Sequence, residues 1–377
     1  MITRTDADRL RALRAAGPAV VSVYLPIPVD LAEHRALGTR ARELIKTAAS
    51  REPRAGGSQV RDTDIESVAG AVAAHSDEWL GRTAAIFACA EIGLLQMITL
   101  PGHLTEQGMV SDRPYIRPLL IAMQRNPAYR AALVDTQHAW ILNITDDQIE
   151  TVAERTDRGV RSPNFAGWYG LEGYRIQQRI MELSRQHFRD TIGILERPAN
   201  GEHHPIVLGG HEDEISQFVA ALPRTIRQNV AGSFSVDLHT ATPGRVRELA
   251  RPVLDRWSEQ TEAQLVDEVL NEPPNRSVTT ELGGCLIASR ARSVAQLILP
   301  DDQLVPGFAC DDCGALSTTA QDCDCPDPTD ACHPVPDLLD ELASRTLDGG
   351  GTVTSVRNPP FTAAARLRFP LATVAAG

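Results

Sequence analysis

Short β-branched apolar runs alternate with longer stretches of helical periodicity along almost the whole chain. That alternation restricts it to sheets with helices packed on them, an α/β to α+β class. Ala19–Leu25, Thr83–Ala90, Gly93–Leu100, Leu133–Thr136, Ala139–Ile144, Gln148–Arg155, Pro205–Leu208, Gly232–Leu238, Val294–Leu299, Thr352–Val356 and Ala364–Phe369 predict strands. Residues 4–16, 32–49, 64–80, 243–271 and 337–346 predict helices, the longest opened by Thr242-Pro243. The alternation over 131–271 implies a mainly parallel or mixed sheet. At 377 residues the chain exceeds one typical domain. Breaks at Asn126-Pro127 and at Glu272-Pro273-Pro274-Asn275 divide it into three consecutive α/β domains, 1–127, 131–271 and 276–377. The longest apolar runs are far short of a membrane span, and MITRTDADRLRAL has no apolar signal core. No membrane partner and a cytoplasmic location are therefore expected.

The second domain contains the most distinctive stretch, Ser162–Asp190. It begins as a glycine-rich aromatic loop, Gly167, Trp168, Tyr169, Gly170 and Gly173, and passes into a helical pattern without a breaker. On a helical wheel Ile176, Ile180, Met181, Leu183 and Phe188 share one broad face, and Arg175, Arg179, Arg185 and Arg189 share an arc on the other. The chain as a whole carries a net charge of -12, which argues against a generally basic nucleic-acid binder. Residues 155–189 reverse that sign: seven arginines (Arg155, Arg158, Arg161, Arg175, Arg179, Arg185, Arg189) stand against Asp157, Glu172 and Glu182, a net of +4. Such a stripe suits phosphate contacts, and Trp168 and Tyr169 suit stacking on unpaired bases. An ordinary amphipathic surface helix with solvated arginines is the plain alternative. Upstream, Arg113, Tyr115 and Arg117 alternate in the proline-punctuated, extended-looking segment Ser111–Leu120 and are further candidates for RNA contact.

Five of the seven cysteines fall within Cys310–Cys332; Cys89 and Cys285 lie in apolar contexts and read as core. The spacing is Cys310-x2-Cys313, nine residues, Cys323-x-Cys325, then Cys332-His333. The first pair, in CDDCG, has the spacing and following glycine of a zinc knuckle. Two close thiolate pairs suit a closed, structural tetrahedral zinc site formed by Cys310, Cys313, Cys323 and Cys325, with Cys332 or His333 as alternates. Free or redox-active thiols are the other reading. No Walker loop, dinucleotide fingerprint, nucleophile elbow or HExxH is present, so no nucleotide cofactor is expected. His187 falls towards the apolar side of the helix and reads as a satisfied core histidine. Gly209-Gly210-His211, followed by Glu212, Asp213 and Glu214, has the layout of a phosphate-binding turn, but its acids would repel phosphate, and it reads as a structural turn.

Four stretches, in order, resemble the archaeo-eukaryotic peptide-release-factor superfamily, which includes Pelota, and more closely its bacterial branch, with which the ribosome hibernation factor Balon is associated. They are ALVDTQHAWILNI, then GWYGLEGYRIQQRIMELSRQHFRD, then HPIVLGGHEDEISQFVAALP, and finally SVAQLILPDD with CDDCG, LLDELASRTLDGGGTVTSV and AARLRF. The likeness implies three release-factor-type α/β domains with a small zinc-binding insertion in the third, and a central loop that reaches the peptidyl-transferase centre. Release factors carry Gly-Gly-Gln in that loop; this chain has none. The comparable position is near Glu172 in one register and within Gly167-Trp168-Tyr169 in another, so Trp168, Tyr169 and Glu172 are loop candidates and no residue is assigned as catalytic. The resemblance implies a ribosome-binding translation factor that occupies the A site in hibernation or rescue, contacting rRNA there and at the peptidyl-transferase centre, with a translational GTPase such as elongation factor Tu as a further partner. Two alternatives stand beside it: a peptidyl-tRNA hydrolase or release factor with another catalytic loop, and a stress-associated scaffold using the acidic cysteine-rich unit.

Overall fold

The computed structural model describes residues 4–15, 19–51, 60–102, 104–157, 171–197, 204–272, 277–320, 323, 325 and 331–369. They form two compact units: Met1–Gln124 with Glu262–Gly377, and Arg125–Thr261.

In the first unit, β1 (Val20–Pro26), β2 (Thr83–Cys89), β3 (Leu94–Leu100) and β4 (Gln107–Ser111) make an antiparallel sheet in the order β3-β2-β1-β4. β1 and β2 are buried nearly end to end because both faces are covered. On one side α2 (His34–Arg51) and α3 (Asp62–His75) pack Leu37, Ile45, Val68 and Val72 against Val21, Val23 and Ile86. On the other, α1 (Arg4–Ala12) and α4 (Arg117–Arg125) bring Leu10 and Leu119 to Tyr24 and Phe87. Strands covered on both faces read as continuous apolar runs, which is why these two stand out in the sequence. The β2–β3 connection turns at Gly93, whose φ of 66° favours glycine. β4 has no such run. Its Gly108 lets α2 lie close: a Cβ there would meet the Leu44 carbonyl oxygen at 2.8 Å.

The C-terminal part of the same unit has a second sheet, built from β10 (Val278–Thr279), β11 (Val294–Pro300), β15 (Thr352–Val356) and β16 (Ala364–Leu367). Its order is β10-β16-β11-β15, with β11 and β15 parallel. Helices α9 (Leu282–Arg290) and α10 (Leu338–Asp348) cover one face through Cys285, Leu338, Leu339 and Leu342. A three-stranded sheet of β12 (Gly307–Cys310), β13 (Leu316–Ser317) and β14 (Cys332–Val335) carries the cysteines. Cys89 and Cys285 are buried as read, and burial pushes the Cys285 thiol up to about 12.

Arg113, Tyr115 and Arg117 depart from the sequence reading. They do not face outward: all three are buried. Pro118 falls in the first turn of α4, where its missing N–H costs nothing, so the segment read as extended becomes helical at Arg117. Arg113 donates from Nη2 to Asp340 Oδ2 at 2.9 Å and lies 2.8 Å through Nε from Glu341 Oε1. Arg117 Nη1 is 3.1 Å from Asp337 Oδ2, which also accepts the Tyr115 hydroxyl at 3.1 Å. Asp340 Oδ1 accepts the N–H groups of Ile116 and Arg117. Asp337 is in addition the N-cap of α10, accepting the Leu339 N–H. Guanidinium groups enclosed in this way cannot reach RNA.

The second unit is a mixed sheet of β5 (Tyr129–Val134), β6 (His138–Ile144), β7 (Ile149–Thr156), β8 (Ile206–Gly210) and β9 (Val230–Ser235) in the order β7-β6-β5-β8-β9. β5, β8 and β9 run parallel, while β6 and β7 add a meander. Helices α5 (Leu171–Leu195), α6 (Glu212–Ala221) and the short α7 (Arg224–Arg227) cover one face through Phe188, Ile192, Ile215, Phe218 and Ile226. The first turns of α8 (Pro243–Asn271) cover the other through Val246, Ala250 and Val253. Thr242 Oγ1 accepts the Arg245 N–H, the cap expected before Pro243. Gly210 is held by close packing: a Cβ would meet the Val134 carbonyl oxygen at 2.5 Å.

Candidate nucleic-acid interface and cysteine centre

Helix α5 changes character along its length. From Ser184 onward it has a buried side, with Phe188 against Phe218 edge-to-face at 5.2 Å between ring centroids. From Gln178 to Leu183 every side chain is exposed, including Ile180, Met181 and Leu183. The periodic apolar face read from the sequence is therefore covered by the protein only in its second half. The exposed part displays three large apolar side chains beside Arg179.

Arg185 and Arg189 are more than half exposed, and Glu182 lies within 3.8 Å of one and 3.3 Å of the other. Arg189 also donates to Gln186 Oε1 at 2.7 Å. Exposed pairs of this kind are worth about 0–1 kcal/mol each, so exchanging Glu182 for another anion costs little.

Arg155 occupies a different setting. It donates from Nη2 to Asp190 Oδ2 at 2.7 Å and from Nε to the Asp157 carboxylate at 3.2–3.3 Å. Asp157 also meets His187 Nδ1 at 2.7 Å, and His187 is buried. The His187 contact, followed by Arg155, holds the Asp157 carboxyl below its ordinary range. Thr191 donates to the His187 carbonyl at 2.9 Å. The end of β7 is thus fastened to the middle of α5 immediately before residue 158. His187 is buried as the wheel predicts, with Nδ1 held by Asp157 and Nε2 without a hydrogen-bond partner among the described residues. The remaining loop residues Arg158, Arg161, Gly167, Trp168, Tyr169 and Gly170 lie outside the described residues. Glu172 and Arg175 are on α5, with side chains outside the description.

The cysteines converge as their spacing predicts. Cys310 and Cys325 Sγ atoms are 3.6 Å apart, those of Cys313 and Cys323 are 3.4 Å apart, and all four lie within 4.8 Å of one another. A tetrahedron of sulfurs around zinc has edges of about 3.8 Å, so the set fits a four-coordinate metal ion. The knuckle is built by backbone: Cys310 N–H donates to Ala315 O, Gly314 N–H donates to Cys310 O, and Gly314 takes a φ of 68°. Contacts headed by the Cys313 N–H hold the Cys310 thiol down to about 6, while Cys323 and the other thiols push Cys325 upward. Cys332 pairs across β12 with Cys310 but is not among the four, and His333 Nδ1 turns to Asp311 at 3.2 Å.

Residues 114–262 match the model of bacterial archaeo-eukaryotic release factor family 10. Among solved structures, an archaeal translation termination factor, aRF1, is 12% identical over 98% of this chain and 99% of its own, with a TM-score of 0.27. Dom34 of S. cerevisiae, a translation termination-like factor described as interacting with Hbs1, is 10% identical over 77% of this chain and 79% of its own, at 0.40. A ribosome-bound archaeal Pelota is 13% identical over 98% and 95%, at 0.37. At this identity and score the likenesses leave ligand and activity open. No curated protein matches the chain. Among the described residues no helix is long and apolar enough to cross a membrane.

Proposed function

We propose that this chain, whose residues 114–262 match the bacterial release-factor family model, is a cytoplasmic, ribosome-associated translation factor that acts by occupying the A site, in hibernation or rescue. The observation that carries this reading is the half-exposed helix α5 within the family-matched segment. Its free stretch presents Arg179, Ile180, Met181 and Leu183, and Arg185 and Arg189 follow. An exposed apolar patch beside arginines with weakly held counter-charges suits a folded RNA surface with phosphates and unstacked bases. The clamp of Arg155, Asp157, His187 and Asp190 supports the same reading, because it fastens the chain just before residue 158 to the middle of α5. Arg158, Arg161, Arg175, Gly167, Trp168, Tyr169 and Gly170 complete the proposed rRNA contact, with the loop directed to the peptidyl-transferase centre. The lack of Gly-Gly-Gln favours occupancy over peptide release.

The four cysteines are proposed to hold structural zinc, on the fit of their geometry. A translational GTPase such as elongation factor Tu is the proposed further partner, at the acidic surface around Asp301–Asp348. That surface is less acidic than the sequence suggests, since Asp337, Asp340 and Glu341 are internal.

Co-sedimentation with 70S ribosomes across a salt series, with peptide release assayed in the same tubes, tests the reading. Salt-sensitive binding without release is expected. Release would make the chain a hydrolase; failure to bind at any salt would overturn the proposal.

A further inference from the structure

The carboxyl end of the central sheet carries a second group of metal-binding side chains, remote in sequence from the cysteines. β5 turns into β6 through Asp135–His138. Asp135 Oδ1 accepts the N–H groups of Gln137 and His138, both at 2.6 Å, which fixes the turn. Asp135 Oδ2 lies 2.8 Å from His138 Nδ1. That separation is one that two ligand atoms on a single ion can take, so a cation would displace the proton shared by Asp135 Oδ2 and His138 Nδ1 and take both atoms as donors.

The turn after β9 brings His239 to the same place. Its ring is 4.9 Å from that of His138, at 78°, and its N–H is fixed by Asp237 Oδ1 at 2.9 Å. One donor atom from each of Asp135, His138 and His239 lies within 4.8 Å of the others. Glu214, in the first turn of α6, provides an independent sign. Its carboxylate accepts the Thr136 N–H. Its Oε2 is buried with no hydrogen-bond partner among the described residues. Two imidazoles and the Asp135 carboxylate therefore gather at one place, with the Glu214 carboxylate against the adjoining turn at Thr136. The place is the outer end of parallel strands, where open α/β sheets collect their ligands.

We propose that Asp135, His138 and His239 bind one divalent transition-metal cation of the zinc, cobalt or nickel class. Two imidazoles and one carboxylate suit these borderline ions and not calcium or magnesium. The bound ion ties the β5–β6 turn to the turn between β9 and α8.

The test is equilibrium dialysis of the full chain against Co2+, with electronic absorption recorded on the same samples. Cobalt on the four cysteines adds an intense sulfur charge-transfer band; cobalt on the histidines does not. One equivalent without that band is expected. It should weaken by about tenfold or more in His138→Ala and in His239→Ala and stay unchanged in His75→Ala in the other unit. If His138→Ala fails to fold by circular dichroism, the exposed His239→Ala alone decides. Absence of a band-free equivalent overturns the proposal, as does an equivalent of unchanged affinity in His239→Ala.

Discussion

Replacing Arg113 with methionine should destabilise the first unit severely, and the amount can be reasoned from its surroundings. Arg113 is 2% exposed and its side chain engages two carboxylates, those of Asp340 and Glu341, which are 4% and 6% exposed. Methionine has similar length and no charge, so little packing is lost. What remains is a pair of enclosed acids on consecutive residues without their cation. Breaking a buried pair in this way costs about 3–5 kcal/mol, because the charge left behind keeps its desolvation penalty. Neutralising the acids as well should recover most of the loss: Arg113→Met with Asp340→Asn and Glu341→Gln is expected within about 2 kcal/mol of the parent, since apolar and neutral replacements of whole buried ion clusters are often tolerated.

Urea unfolding followed by Trp79 measures both. Trp79 is buried in the first unit, and changing Trp140, Trp168 and Trp257 to phenylalanine isolates its signal. A loss below about 1 kcal/mol in the single variant would refute the reasoning, because it would mean water reaches the two acids. A triple variant no more stable than the single one would refute the stranded-charge account and leave Arg113 acting through packing.

Replacing Arg179, Arg185 and Arg189 together with glutamine should lower the salt slope of ribosome binding by roughly 2–3, at about 0.7–0.9 for each phosphate no longer neutralised; an unchanged slope would mean these arginines are only solvated. His187→Ala should destabilise the second unit by about 1–3 kcal/mol by removing the imidazole contact to Asp157 and opening a core site, read from urea unfolding followed by Trp140. Burial pushes the Asp340 carboxyl up to about 6, against an unfolded value of about 3.9. Its contribution to stability is therefore complete below about 3.9 and lost as pH rises through about 6. The urea midpoint of the parent should rise relative to Asp340→Asn between pH 7.5 and 5, and parallel curves would refute this. Native mass spectrometry should find one zinc lost from Cys310→Ser with Cys313→Ser, and the cysteine-rich sheet should become protease-sensitive in that variant.

The two-sided burial of β1 and β2 made them legible as continuous apolar runs, and cysteine spacing alone located the four-thiol centre. Legibility failed where the deciding partner is distant or absent. Arg113, Tyr115 and Arg117 alternate like an exposed strand, yet their carboxylates come only at Asp337, Asp340 and Glu341. The available signal was on the other side: Asp340 and Glu341 interrupt the apolar start of α10 as acids that ask for a cation. Ile180, Met181 and Leu183 fit a buried helical face as well as Phe188 does, and only the extent of the sheet beneath α5 separates them. The strand β4 offered a glycine and no β-branched run. His138 and His239 were invisible as a pair, because parallel strand order, not spacing, brings their turns together.

The two-part make-up of the first unit bears on how the chain is synthesised. Arg117 leaves the ribosomal tunnel 223 residues before Asp340, a delay of about 11–45 s at 5–20 residues per second. Throughout that interval the first sheet has its two arginines and none of the acids they are enclosed with. The contiguous segment Arg125–Thr261 emerges in between and can complete its sheet first. A nascent chain of this protein therefore carries an unfinished domain ahead of a finished one. Any stop or stall before Asp337 leaves Arg113 and Arg117 facing water, on a surface that the full-length chain keeps closed and quality-control proteases can recognise.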